Sequence, residues 1–104
     1  MNSKCKPCEE KTDALSKNES EHLKETLNEW SLIEDTHIEK TLKFKDFKEA
    51  LAFVNKVGVI AEEEGHHPDI KIHNFNKVTL TLSTHSIGGL SENDFILASK
   101  IDNL

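Results

Sequence analysis

The chain has 104 residues, 36% of them hydrophobic and 31% charged, which is the size and composition of one globular domain without a membrane-spanning segment. Its formal charge is −6, and all 13 basic residues are lysine. Because recognition of phosphates and guanine edges depends mainly on arginine, and no basic stripe is present, the composition does not predict direct nucleic-acid binding. Since no apolar run is long enough to span a bilayer, no membrane partner is expected.

Residues 1–17 contain Pro7, scattered charge and no sustained periodicity, which predicts a flexible leader ahead of a single domain at residues 18–104. No apolar segment follows the early lysines, so a secretory signal is not predicted and the expected location is the cytoplasm. Cys5 and Cys8 are the only cysteines. One such pair supplies half the ligands of a closed zinc site, so we interpret it as a solvated feature of the leader.

The first part of the domain is predicted to form a helix and a β-hairpin. Between residues 20 and 29, leucines recur at about one helical turn, which is typical of a short amphipathic helix. Between residues 30 and 44, apolar and polar residues alternate, and Asp35-Thr36 interrupts the alternation. This pattern predicts two antiparallel strands joined by a tight turn.

The longest predicted helix begins after Asp46, because Asp46 and Glu49 have the spacing of a capping box. At about 18 residues it would run roughly 27 Å, and Gly65 is placed to end it in a left-handed conformation. Five apolar residues recur at helical spacing as its stripe: Phe47, Leu51, Val54, Val57 and Ala61.

A second hairpin and a final helix complete the domain. Alternation between residues 70 and 82, with turn chemistry at residues 74–76, predicts the hairpin. Ser91 and Asp94 then cap the final helix. The result is an α+β fold in the order α-β-β-α-β-β-α, with three helices on one face of a four-stranded antiparallel sheet. Its exposed edges and helix-free face favour a homodimer or homotetramer. The final helix has an apolar stripe of Leu97, Ile101 and Leu104.

Six histidines are present, and three of them lie at the ends of predicted elements: His66, His67 and His85. Functional groups are common at such ends, so these residues are candidates for acid–base chemistry or for ordinary polar packing. Adjacent histidines in an extended chain point to opposite sides, so His66 and His67 are poorly placed to chelate one metal ion. The other three are interpreted as structural residues of a helix surface and of strand surfaces: His22, His37 and His73.

Several spaced residues together resemble a family signature. The segment from Glu62 to Pro68 is followed by Phe75, His85 and Asp94 at the spacings of the pterin-4a-carbinolamine dehydratase family. The similarity covers about residues 18 to 104, which is essentially the whole predicted domain. Further matches lie at Trp30 and at residues 44–47, 76–78, 80–85, 89–91 and 97–98.

The resemblance implies dehydration of 4a-hydroxytetrahydrobiopterin, or another 4a-hydroxytetrahydropterin, to the quinonoid dihydropterin, with no cofactor and no metal. Imidazoles, whose ordinary pKa is about 6.5, suit both the protonation of the leaving hydroxyl and the removal of the N5 proton. The resemblance also implies that His66 and His85 are the acid and the base, in an order left open, and that His67 supports catalysis or pterin binding. The implied pterin contacts are Glu62, Gly65, Ser83, Thr84 and Ser86.

Four further residues of the signature or close to it have expected roles of their own. Glu62 lies one helical turn before His66, so it either orients an imidazole or is a solvated carboxylate at the helix end. Asp94 belongs to the signature and is interpreted as a helix-capping residue. Trp30 and Phe75 are expected in the core or in the wall of a pocket.

Three functions follow from these observations. The first is the dehydratase, which would support a pterin-dependent aromatic amino-acid hydroxylase by recycling its oxidised cofactor. The alternative is a non-enzymatic protein-binding module, since related proteins act as dimerisation cofactors of a homeodomain transcription factor or assist Rubisco assembly. The third is a metal-binding protein that uses Cys5, Cys8 and histidines. Retention of His66, His67 and His85 favours the enzyme.

Overall fold

A computed structural model describes residues 14–104, and its helices and strands follow the predicted order. A 3₁₀ turn, η1, spans His85–Ile87. The strands form one antiparallel sheet in the order β1-β2-β4-β3, so the α+β fold is confirmed. No helix in this part of the chain is long and apolar enough to cross a membrane. The elements are α1 (Lys17–Lys24), β1 (Ser31–Ile33), β2 (His37–Lys43), α2 (Phe47–Glu64), β3 (Asp69–His73), β4 (Lys77–Leu82) and α3 (Glu92–Asp102).

Strand β4 shows how the sheet divides into a core face and a polar face. Val78, Leu80 and Leu82 are fully buried, whereas Thr79 and Thr81 between them are half-buried. Because alternate residues of a strand lie on opposite faces, the helices pack on the face of the three apolar residues. The opposite face carries hydroxyl and charged side chains.

Helix α2 begins and ends where the sequence predicts. The Asp46 carboxylate accepts a hydrogen bond from the Glu49 backbone N–H at 2.9 Å. At the other end Gly65 has φ 64° and its N–H donates to the Ala61 carbonyl. A residue without a Cβ adopts this left-handed conformation without strain, so the chain turns sharply at the end of the helix.

The apolar stripe predicted for α2 is only partly buried. Val57 and Ala61 are buried as expected, together with Ala50, but Phe47 and Leu51 are 49% and 41% exposed. The sheet and α3 cover only one side of α2, and Phe47 and Leu51 lie outside the covered side. Apolar spacing alone does not distinguish these two situations.

Helix α1 starts and ends earlier than the predicted range of residues 20–29. Ser16 and Glu19 form a capping box in which each side chain accepts from the other residue's backbone N–H, at 3.2 and 2.9 Å. The hydrogen bonds from the Ser16 backbone and side chain lower the pKa of Glu19. A cap at this position begins the helix at Lys17.

The folded chain also begins earlier than the predicted boundary at residue 18. The Leu15 N–H donates to the Leu90 carbonyl at 2.8 Å, and Leu15 packs against the core. Residues 14–17 are therefore part of the fold rather than of a leader. Residues 1–13, which include both cysteines, lie outside the described residues.

Asp102 joins the end of α3 by hydrogen bonds to residues just before β1 and to β2. Its carboxylate accepts hydrogen bonds from Trp30 Nε1 at 2.9 Å, Lys40 Nζ at 2.9 Å and the Asn28 N–H at 3.0 Å. Trp30 is 3% exposed, so the expectation of a core position is confirmed.

Two apolar residues predicted to be buried are exposed. Phe75 is 63% exposed at the tip of the β3–β4 hairpin, where Asn74 and Phe75 both have positive φ. This tight turn directs the Phe75 side chain away from the core, so the expectation of a core position is wrong, and a position in the wall of a pocket stays a prediction. Leu104 follows the end of α3 and is 50% exposed, so it does not extend the apolar stripe of that helix.

Candidate active site

His66 is a buried imidazole paired with a buried carboxylate. It follows Gly65 directly and is 6% exposed, and its backbone N–H donates to the Ala61 carbonyl at 3.2 Å. His66 Nε2 lies 2.6 Å from Asp94 Oδ1. The left-handed turn at Gly65 thus sends His66 into the protein, and the hydrogen bond to Asp94 fixes the orientation of its ring.

Asp94 is the central acceptor of this region and is fully buried. While Oδ1 pairs with His66, Oδ2 accepts from Thr84 Oγ1 at 2.8 Å and from the Ser91 N–H at 2.9 Å. The predicted capping role at the start of α3 is confirmed by the contact with Ser91. The pairing with His66 was missed, although the position of Asp94 in the family signature was a signal that it does more than cap a helix.

Thr84 connects this buried network to His85. Thr84 is 3% exposed, its hydroxyl lies 2.8 Å from Ser91 Oγ, and its N–H donates to the Gly89 carbonyl at 2.7 Å. His85 follows it, and its side chain is exposed in η1. One carboxylate, that of Asp94, therefore holds both His66 and the backbone that carries His85.

His67 points away from this network. Its side chain is 59% exposed, and its Nε2 lies 2.5 Å from Glu62 Oε2. The opposite directions of His66 and His67 are those expected of adjacent residues in extended chain. Glu62 is an exposed carboxylate, and the imidazole it contacts is that of His67, because His66 turns inward to Asp94.

A pocket of about 190 Å³ opens between the β1–β2 hairpin and the segment after β4. Three predicted site residues, Ser83, Thr84 and His85, are in its wall. His37, interpreted from its strand position as a structural residue, also lines the pocket, and its alternating spacing gave no signal of this location. The remaining lining residues are Thr36, Gly88 and Gly89.

The other predicted site residues lie outside this pocket wall. His66 lies behind Thr84, from which it is separated by Asp94. His67 and Glu62 form their own pair near the end of α2. The last two predicted contacts are Gly65, which ends α2, and Ser86, which lies in η1.

No three histidine, cysteine, aspartate or glutamate side chains among residues 14–104 form a group able to hold a metal ion. Cys5 and Cys8 fall outside that range, so the metal-binding alternative that uses them stays a prediction.

The sequence is similar to a named family and to curated members of it. The family model described as "Pterin 4 alpha carbinolamine dehydratase" matches residues 13–104. A protein of Alkaliphilus metalliredigens is 48% identical over 100 residues, which cover 95% of this chain and 89% of the relative. A protein of Nitrosospira multiformis is 47% identical over 100 residues, covering 96% and 87%. Both carry the name "Putative pterin-4-alpha-carbinolamine dehydratase".

Solved structures show the same fold. The "transcriptional coactivator/pterin dehydratase from Brucella Melitensis" matches with a TM-score of 0.81 and 32% identity, covering 88% of this chain and 97% of that one. A "pterin dehydratase-like protein" described as "a RuBisCO assembly factor in the alpha-carboxysome" matches with a TM-score of 0.61 and 22% identity, covering 73% and 88%. At that identity the second match shows likeness of fold alone. From the family match, the identities and the shared fold, this chain belongs to the pterin-4-alpha-carbinolamine dehydratase family.

Proposed function

We propose that the protein dehydrates a 4a-hydroxytetrahydropterin, such as 4a-hydroxytetrahydrobiopterin, to the quinonoid dihydropterin. The observation that carries the proposal is the buried Asp94 carboxylate. It hydrogen-bonds to His66 and to the hydroxyl of Thr84, the residue directly before His85. Two imidazoles supported by one rigid network are suited to a reaction with two proton transfers. Membership of the family supports the choice of substrate class.

The reaction removes one water molecule and needs no oxidant or reductant. An acid protonates the 4a-hydroxyl, and the C4a–O bond breaks as water leaves. A base takes the N5 proton, and the electrons of the N5–H bond form the C4a=N5 double bond. We assign these two proton transfers to His66 and His85, with His67 supporting catalysis or pterin binding through its position beside Glu62.

Two kinds of position provide the proposed pterin contacts. Ser83 and Thr84 line the pocket together with His85. Outside the pocket wall, the proposed contacts are Glu62, Gly65 and Ser86. In this proposal the protein needs no cofactor, acts in the cytoplasm and recycles the oxidised cofactor of a pterin-dependent aromatic amino-acid hydroxylase.

An assay of the purified protein on freshly made 4a-hydroxytetrahydropterin tests the proposal. We expect dehydration clearly faster than the spontaneous reaction, proportional to protein concentration. A rate equal to the spontaneous one would contradict the dehydratase and favour a non-enzymatic protein-binding role on the same fold.

We also propose that the protein forms a homodimer or homotetramer. Strands β1 and β3 are sheet edges, and Ile70 on β3 is 37% exposed. Phe47 and Leu51, one turn apart on α2, are 49% and 41% exposed. Burial of these apolar side chains against a second copy would stabilise an assembly. The helix-free face of the sheet is polar and offers less apolar surface to bury.

Light scattering at micromolar concentration should therefore give a mass of at least two chains. Leu51→Glu should lower that mass, because it places a charge among exposed apolar side chains. Ala52→Glu adds the same charge about 100° around the helix and should not lower it. A wild-type mass of 11.8 kDa, that of one chain, would show that the assembly proposal is wrong.

A further inference from the structure

His37 is a second imidazole in the pocket that contains His85. It is the first residue of β2, and the next residue, Ile38, pairs with Leu82 of β4. The antiparallel register therefore brings His37 beside Ser83, and both side chains line the pocket. His37 does not touch Asp94 and has no part in the acid–base pair assigned above.

The neighbouring turn fixes the orientation of the His37 ring. Thr36 Oγ1 lies 2.7 Å from His37 Nδ1. Thr36 itself is held in the tight turn, where its N–H donates to the Ile33 carbonyl at 3.1 Å. Glu34 and Asp35, the two residues before it, both have positive φ, with values of 51° and 59°. The turn thus occupies one ring nitrogen and restrains the imidazole.

The other ring nitrogen, Nε2, is available to a ligand. Among residues 14–104, nothing hydrogen-bonds to Nε2 of His37. His37 is half-buried, so a group seated in the pocket can reach this nitrogen without reorganising the chain. A restrained polar atom of this kind loses little conformational entropy when it binds.

The pocket wall consists of hydroxyl groups, imidazoles and glycine backbone, with no carboxylate and no ammonium group among its lining residues. Its volume of about 190 Å³ is below the roughly 300–1,000 Å³ of pockets for drug-sized ligands. Such a pocket suits one neutral, hydrogen-bonding heterocycle rather than an anion or a large apolar ligand. The ring of a pterin has this chemistry.

We infer that His37 is a substrate-binding residue whose Nε2 hydrogen-bonds to the polar edge of the pterin, with Thr36 as its positioning residue. The inference rests on the proposed function and adds a contact to the same site. Because the role is binding rather than proton transfer, removal of His37 should raise KM more than it lowers kcat.

Substitutions at His37 test the inference with a built-in geometric control. His37→Ala should raise KM, and the Kd of a stable oxidised pterin measured by fluorescence, roughly three- to tenfold, as expected for the loss of one hydrogen bond. Glutamine places its amide near Nε2, and asparagine places it near Nδ1. His37→Gln should therefore recover most of the affinity, and His37→Asn should not. Thr36→Val should raise KM by a smaller factor.

His73→Ala is the matched control, because His73 lies on the polar face of β3 and its Nε2 bonds to Thr79, away from the pocket. Its KM and Kd should equal those of the wild type. Circular dichroism establishes that each variant is folded before KM and Kd are compared.

The outcomes separate this inference from the proposed function. A wild type that neither binds pterin nor dehydrates the substrate would overturn the proposed function. An active wild type with unchanged KM and Kd in His37→Ala would overturn only the role of His37. A fall in kcat at unchanged KM and Kd would also overturn it, because that result assigns His37 to the chemical step.

Discussion

Replacing His66 or His85 with alanine is expected to lower the dehydration rate about 100-fold or more, because each change removes a proton-transfer group. His85→Ala is the cleaner test of chemistry, since the His85 side chain is exposed and makes no hydrogen bond to the Asp94 network. His66→Ala leaves a buried carboxylate oxygen of Asp94 without its partner, so this variant should also lose stability.

Steady-state kinetics on variants shown to be folded by circular dichroism check this expectation. The double variant His66→Ala/His85→Ala should fall close to the uncatalysed rate, and the two losses should be less than additive if the imidazoles act as one unit. His73→Ala should behave as wild type. Near-normal rates in both folded single variants would refute the assignment of the acid–base pair.

Asp94→Ala is expected to reduce the free energy of unfolding by roughly 3–5 kcal/mol, because several buried groups lose their hydrogen-bond acceptor at about 1–3 kcal/mol each. The change leaves His66, the Thr84 hydroxyl and the Ser91 N–H without their common acceptor. Since domains are stable by only about 5–15 kcal/mol, the variant should be close to unfolding. Urea denaturation measures the change directly.

Two variants sharpen this prediction. Asp94→Asn keeps the shape of the side chain and one oxygen acceptor, so it should lose less stability than Asp94→Ala while still misorienting His66 and lowering the rate. Glu92→Ala removes an exposed carboxylate from the same first turn of α3 and should change stability by less than about 1 kcal/mol. An Asp94→Ala variant as stable as Glu92→Ala would contradict the central role of the Asp94 network.

The helices and strands were predictable because their signals lie within a few residues of one another. The cap formed by Asp46 and Glu49 and the left-handed Gly65 bound α2 as predicted. Alternation of apolar and polar residues located β4 between Lys77 and Leu82. Such signals act through local backbone geometry, which does not depend on where the rest of the chain lies.

The fold prediction was wrong where the same local sequence pattern is compatible with either a buried or an exposed side chain. The apolar spacing of Phe47 and Leu51 is the same whether a neighbouring element covers them or not, and none of the elements within residues 14–104 does. Phe75 has a large apolar side chain of the kind usually found in a core, but the positive φ of the hairpin turn directs it outward. Burial depends on what packs against a residue, which its own neighbours in sequence do not specify.

In the candidate site, too, local features were predictable from the sequence and contacts between side chains were not. The amino-acid sequence by itself determined the order of the elements, the histidines at their ends and, through the family signature, the chemistry to expect. Only the tertiary structure decided that Asp94 binds His66 across 28 residues, that Glu62 pairs with His67, and that His37 shares a pocket with His85. The Glu62–His67 pair spans only five residues and depends on His66 turning inward at the end of α2. The other two contacts join segments that are distant in sequence, and the packing of the hairpins and helices brings them together.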